Sequence, residues 1–191
     1  MANKVKFGIK NLHYSILTLA DDGSGTYATP KRLRGAVNMS LEPQGESSPF
    51  YADDVVFFTG NSNSGYQGDL ELAKVSEDFL IDVLGSVADK NGVVYEDANA
   101  PVVHFALLFE FDGDVSATKH VLYNCTATRP SVASATKTDT TEPQTETITI
   151  TATSIFNAAL NKYIPKAYCE NTSATQYAAW YESVYQPVAG E

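Results

Sequence analysis

Val102-Val103-His104-Phe105-Ala106-Leu107-Leu108-Phe109-Glu110-Phe111 is the stretch that decides the fold class. Val103, Phe105, Leu107, Phe109 and Phe111 fall on one face of an extended chain, and apolar residues at a period of two specify a strand rather than a helix. The other face (Val102, His104, Ala106, Leu108, Glu110) is weaker, and mixed enough to be partly covered. Asp112-Gly113-Asp114 supplies turn chemistry directly afterwards, so residues 119–128 read as the returning arm of a hairpin.

The same period recurs outward from this segment, at 14–19, 35–41, 51–59, 66–75 and 145–154. In the last of these, Thr147, Thr149, Thr151 and Thr153 alternate with Ile148, Ile150 and Ala152, the pattern of a half-buried strand with a polar, β-branched outer face. In 66–75, Tyr66, Leu70, Leu72 and Lys74 point one way while Gln67, Asp69, Glu71 and Ala73 point the other. Two helices interrupt the strands. Ser76 can cap the first, with Glu77 and Asp78 in its opening turn, Phe79, Leu80, Val83 and Leu84 as its stripe, and Gly85 as its stop. Ser173-Ala174-Thr175-Gln176 fits a capping box, and Tyr177, Trp180, Tyr181 and Val184 extend a second helix over 173–186. The connections at 20–34, 42–50 and 130–145 are long and polar, and such loops are usually functional or flexible. The expectation is a mainly β chain, one domain over 1–191 with an N-terminal arm at 1–13, one or two short helices and extended loops.

The net charge of −10 is unevenly placed. Residues 1–34 carry Lys4, Lys6, Lys10, Lys31, Arg32 and Arg34 against Asp21 and Asp22, whereas residues 35–118 carry fifteen Asp/Glu against Lys74 and Lys90. The acidic residues are interleaved with strand-forming Phe, Tyr, Val and Leu, so structured surface is given to repelling anions. A solvated face, a cation site and a surface that nucleic acid must pass without sticking all fit this pattern. Neither a signal peptide nor an apolar run of membrane-spanning length is visible, which points to folding in the cytoplasm. Cys125 and Cys169 are far apart and read as thiols in a reducing compartment.

Chemistry-bearing motifs are missing: there is no nucleophile elbow, phosphate-binding loop, dinucleotide fingerprint or Cys/His metal spacing. His104 and His120 lie on adjacent expected strands and could face each other, but cross-strand histidines are ordinarily plain sheet residues. Asp21-Asp22-Gly23-Ser24-Gly25 and Asp112-Gly113-Asp114 lack the downstream bidentate Glu of a calcium loop. Asp53 and Asp54 cannot share one face of a strand, which disfavours an acid/base pair. An enzyme is disfavoured, and no catalytic, cofactor or metal residue is assigned.

Several segments, in order along the chain, resemble the phi13-type major tail proteins of siphovirus-like bacteriophages. They are Lys4-Val5-Lys6-Phe7-Gly8-Ile9-Lys10-Asn11-Leu12-His13-Tyr14, Tyr51-Ala52-Asp53-Asp54-Val55, Gly65-Tyr66-Gln67-Gly68-Asp69-Leu70-Glu71-Leu72-Ala73, Asp89-Lys90-Asn91-Gly92-Val93 and Phe105-Ala106-Leu107-Leu108-Phe109-Glu110. The resemblance implies a β-sandwich, tube-forming subunit assembled into hexameric rings that stack as a hollow virion tail tube, built in the host bacterial cytoplasm. The C-terminal immunoglobulin-like domain of some relatives is not expected here. It further implies tape measure, distal tail and tail terminator proteins as partners, with genomic DNA passing through without specific binding. On that reading Asp69, Glu71 and Gln67 face the lumen. Lys4, Lys6, Lys10, Glu42, Gln44, Glu46, Pro130 and Thr138 meet neighbouring subunits. Two alternatives remain: a β-sandwich module binding carbohydrate through Tyr66, Tyr95 or the terminal-helix aromatics, and the tube of a contractile tail or phage-derived injection device.

Overall fold

The computed structural model describes residues 7–114, 116–132, 134, 144–170 and 174–190. In chain order the first strands are β1 (Ile9–Leu19), β2 (Gly25–Tyr27), β3 (Lys31–Arg32), β4 (Ala36–Gln44), β5 (Ser47–Ala52), β6 (Val55–Asn61) and β7 (Gly65–Leu72). Helix α1 (Glu77–Asp82) separates them from β8 (Ser86–Ala88), β9 (Val94–Glu96), β10 (His104–Phe111), β11 (Lys119–Ala127) and β12 (Glu146–Thr153). Then come β13 (Ile155–Asn157), β14 (Lys162–Ile164), β15 (Lys166–Cys169), α2 (Ala174–Ala178) and a 3-10 turn (Ala179–Tyr181).

Nine strands form one antiparallel sheet on the path β2-β1-β10-β11-β12-β7-β4, with β15 added to β11 and β3 to β1. The sheet curls until β4 comes near β1, but no ladder joins the two, so the protein is mainly β without a closed barrel. Inside the curl lie Tyr14, Leu70, Leu72, Phe105, Leu107, Leu122, Ile148 and Ile150, and α1 covers them. Phe79 drives that docking. It is fully buried and sets its edge against Tyr14 (ring centroids 5.0 Å apart) and Phe105 (5.7 Å). The helix starts as its sequence dictates: Ser76 Oγ accepts the Phe79 N–H at 3.4 Å, a cap worth about 1 kcal/mol. Asp82 then ties helix to sheet by accepting from Tyr14 Oη (2.8 Å) and Lys31 Nζ (2.6 Å).

A second core lies on the opposite side of β10 and β11. There Leu17, Ala106, Leu108, Val121, Tyr123 and Ile155 are roofed by Trp180 and Val184. Both faces of β10 are therefore buried, which explains why the second face of the opening stretch is only partly polar. Tertiary hydrogen bonds hold the roof: Trp180 Nε1 donates to the His120 carbonyl, Tyr123 Oη to that of Tyr185, and Asn157 Nδ2 to that of Pro187.

Five segments differ from the expectations. The helix over 173–186 is only α2 plus one 3-10 turn, and beyond it the carbonyls of Tyr185 and Pro187 accept from Tyr123 Oη and Asn157 Nδ2. Ser173 lies outside the described residues. The 20–34 connection contains β2 and β3, both paired with β1. The polar 42–50 loop is strand: β4 runs to Gln44 and β5 begins at Ser47. The single strand at 51–59 is a hairpin turning at Asp53 and Asp54, whose φ angles of 51° and 60° place both in the left-handed region that aspartate tolerates. Lys74 is exposed rather than inward-facing, because β7 stops at Leu72.

Phe79→Ala should lower unfolding stability by about 3–5 kcal/mol in chemical denaturation, the usual cost of emptying a buried aromatic site. Cys125 is fully buried and burial pushes its thiol up, whereas Cys169 is partly exposed. A thiol reagent should therefore titrate Cys169 in the folded protein, and Cys125 only after denaturant is added.

Candidate functional site

The outward side of β4, β7 and β12 is a grid set by register. Ser40 lies opposite Asp69, which lies opposite Thr149; Asn38, Glu71 and Thr147 form the next row, and Glu42, Gln67 and Thr151 the third. Thr149 Oγ1 donates to Asp69 Oδ1 at 2.8 Å and Thr145 Oγ1 to Glu71 Oε1 at 2.5 Å. Leu70, Leu72, Ile148 and Ile150 alternate with these residues and are completely buried, which holds the carboxylates outward. No Lys or Arg stands in the grid. The surface can hold water and repel anions, and it offers no cation to a phosphate. On β11, Asn124 and Thr126 continue it through their pairing with Thr153 and Thr151.

Beyond the grid, β4 and β7 leave the sheet as a two-stranded ribbon. Ser64 N–H donates to the Gln44 carbonyl (2.8 Å) and Ser62 N–H to that of Glu46 (2.9 Å), carrying the ladder into β5 and β6. The ribbon departs at Gly65, whose φ is 107° and whose missing Cβ would stand 1.9 Å from the Ala152 carbonyl oxygen. Past it, Phe50, Tyr51, Val55, Val56, Phe57 and Phe58 are 52–73% exposed. Consecutive strand residues point to opposite sides, so the hairpin is apolar on both faces. A patch of this kind marks an interaction surface. Sequence reading misses it because the residues of 51–59 read as one uninterrupted strand.

Of the other expected contact residues, Glu42 and Gln44 sit in β4 opposite Gln67 and Gly65, and Glu46 bonds Ser62 at the base of the hairpin. Lys10 is exposed and paired with Asp112 at 2.8 Å. Pro130 follows β11, half-buried; Lys4, Lys6 and Thr138 lie outside the described residues. The histidines are not brought together: His104 Nδ1 meets Asn124 Oδ1 at 2.7 Å, while His120 stacks on Phe109. Among the described residues no group of three His, Cys, Asp or Glu is placed to hold a metal, and no helix is long and apolar enough to cross a membrane. The aromatics considered for carbohydrate stacking are dispersed. Trp180 is buried, Tyr66 lies under the Lys166 ammonium (4.9 Å), and Tyr95 stands exposed on β9.

No curated protein sequence matches the chain. Among solved structures, a chain titled "Cryo-EM structure of the anti-feeding prophage (AFP) baseplate, 6-fold symmetrised" is similar over 88% of this chain and 97% of that one, with 8% identity and a TM-score of 0.41. The family model described as "Phage tail tube protein" matches residues 2–189, nearly the whole chain. With that match the mainly β fold, the outward acidic grid and the uncovered hairpin find a common setting: the chain belongs to the phage tail tube protein family, the structural proteins of the virion tail.

Proposed function

We propose that the chain is the repeating, non-catalytic subunit of a non-contractile tail tube, assembled as hexameric rings that stack around an electronegative bore through which DNA leaves the virion. The observation that carries this reading is the hairpin at 47–61, whose large apolar side chains are uncovered on both faces. Burying one Phe stabilises by about 1.5–3 kcal/mol, so such a ribbon is built to be enclosed by protein. Its natural cover in a homopolymer is another copy of the chain.

In this assembly Gln67, Asp69 and Glu71 face the bore. The Thr149 hydroxyl aims the Asp69 carboxylate and the Thr145 hydroxyl that of Glu71, and Leu70 and Leu72 keep both from turning inward. Repeated around a ring, the carboxylates repel phosphates, whereas Lys or Arg in the same positions would release counterions and bind DNA. Assembly in the host cytoplasm, with tape measure, distal tail and tail terminator proteins as partners, follows from the same reading.

Electron microscopy of the purified protein, alone or with the tail initiator, should show rings or tubes, and particles that stay monomeric under all conditions would count against the proposal. Phe57→Ser with Phe58→Ser should leave the monomer folded by circular dichroism and lower tube yield about 100-fold or more, given the burial energy of two Phe side chains. Asp69→Lys with Glu71→Lys should still give tubes, and virions carrying them should eject DNA slowly. Ejection at the wild-type rate would show that these residues do not line the bore.

A further inference from the structure

The two ends of the β4–β7 ribbon carry opposite charge. At the far end, Asp53 and Asp54 form the turn, and residues 42–61 hold four carboxylates (Glu42, Glu46, Asp53, Asp54) with no Lys or Arg. Neither aspartate is in an ion pair among the described residues. At the near end, where Ala36 pairs with Leu72, a groove of about 520 Å³ opens between the start of β1 and residues 32–36. Its floor is Leu12 and Leu33, both 2% exposed, Ile9 and Ala36 line it, and Arg32 and Arg34 stand exposed over it. Lys10, also at this groove, is occupied by Asp112. Among the described residues Arg32 bonds Asn11 Oδ1, at 3.5 Å, and neither arginine is within ion-pair distance of a carboxylate.

We infer that the Asp53-Asp54 tip of one subunit seats in the Arg32/Arg34 groove of another copy of the chain. This rests on the tube reading and adds to it the receiving site and the polarity. Guanidinium groups suit carboxylates because the planar fork can bond both oxygens, and the two-residue tip presents two carboxylates to two arginines. Tyr51 and Val55, which flank the tip and are exposed, supply apolar contact for Ile9 and Ala36. Topology gives direction. Tip and groove lie at opposite ends of one ribbon, separated by roughly 50 Å at about 3.3 Å per residue. A contact between them is heterologous: each copy gives at one end and receives at the other, so the contact propagates around a ring or along the stack instead of closing as a dimer. Arg32 and Arg34 of the basic cluster and Asp53 and Asp54 of the acidic middle thus become two halves of one joint.

Charge exchange tests this, with tube yield read by sedimentation and electron microscopy and folding by thermal unfolding. Asp53→Asn with Asp54→Asn removes both charges while keeping residues that accept the left-handed turn, and should raise the protein concentration needed for tubes at least tenfold. Arg32→Glu with Arg34→Glu should do the same without lowering the melting temperature, because both side chains are exposed. Adding Asp53→Asn and Asp54→Lys to the Arg32→Glu/Arg34→Glu protein rebuilds an opposite-charge pair, and tubes should return. Wild-type tubes with either pair variant assembling at the wild-type concentration, or with no recovery in the combined variant, would overturn the tip-to-groove joint and leave the tube reading intact. A wild-type protein that never assembles would overturn both.

Discussion

The register of β7 between β4 and β12 is the constraint on which the rest of the structure depends. Leu70 is completely buried opposite Ile148 on β12 and Met39 on β4, and Leu72 is completely buried opposite Ala36 on β4. Side chains alternate along a strand, so this burial leaves Asp69 and Glu71 no direction but outward. A slip of one residue would place two carboxylates in the core and two leucines in solvent, at a cost of many kcal/mol. The same register points the strands at Gly65, where the ribbon departs. Core packing, the acidic face and the hairpin are consequences of one alignment.

Around this alignment the fold separates two kinds of surface. The C-terminal residues spend their aromatics inward: Trp180 and Val184 close the second core, and the Lys119 ammonium lies 3.9 Å from the centre of the Tyr177 ring. The hairpin does the reverse and leaves Phe57 73% exposed. One apolar set completes the subunit, and the other stays available to something outside it.

Much of this was legible in the residues. The period of two in 102–111, 119–128 and 145–154 gave strands within two residues of the observed ends, because alternation reports directly on burial. The Asp69/Glu71 face was readable for the same reason. Other features were not. Residues 51–59 are apolar on both sides, so periodicity could not reveal a turn, and Asp-Asp is a rarer turn pair than Asn-Gly or Asp-Gly. The 42–50 segment is polar with no apolar face, yet proline is tolerated on edge strands and Gly45 fits where a Cβ would meet the Ser62 carbonyl. The terminal helix stops early where Trp180 and Val184 dock on the second core, and Tyr123 and Asn157, remote in sequence, hold the residues that follow it. The Arg32/Arg34 groove needs the start of β1 beside residues 32–36, a juxtaposition that only the folded sheet creates.

Pro43 and Pro49 carry a consequence of their own. β4 ends the path of the large sheet, and β5 belongs to a two-stranded sheet, so each has a lateral margin along which a foreign strand could add by backbone hydrogen bonding alone. Such recruitment ignores sequence and is the first step toward cross-β fibres. A proline in each strand withholds an N–H from that margin and interrupts the template. A chain with bare aromatics on a protruding ribbon is thereby steered from indiscriminate fibrillation, and the choice of neighbour passes to its side chains.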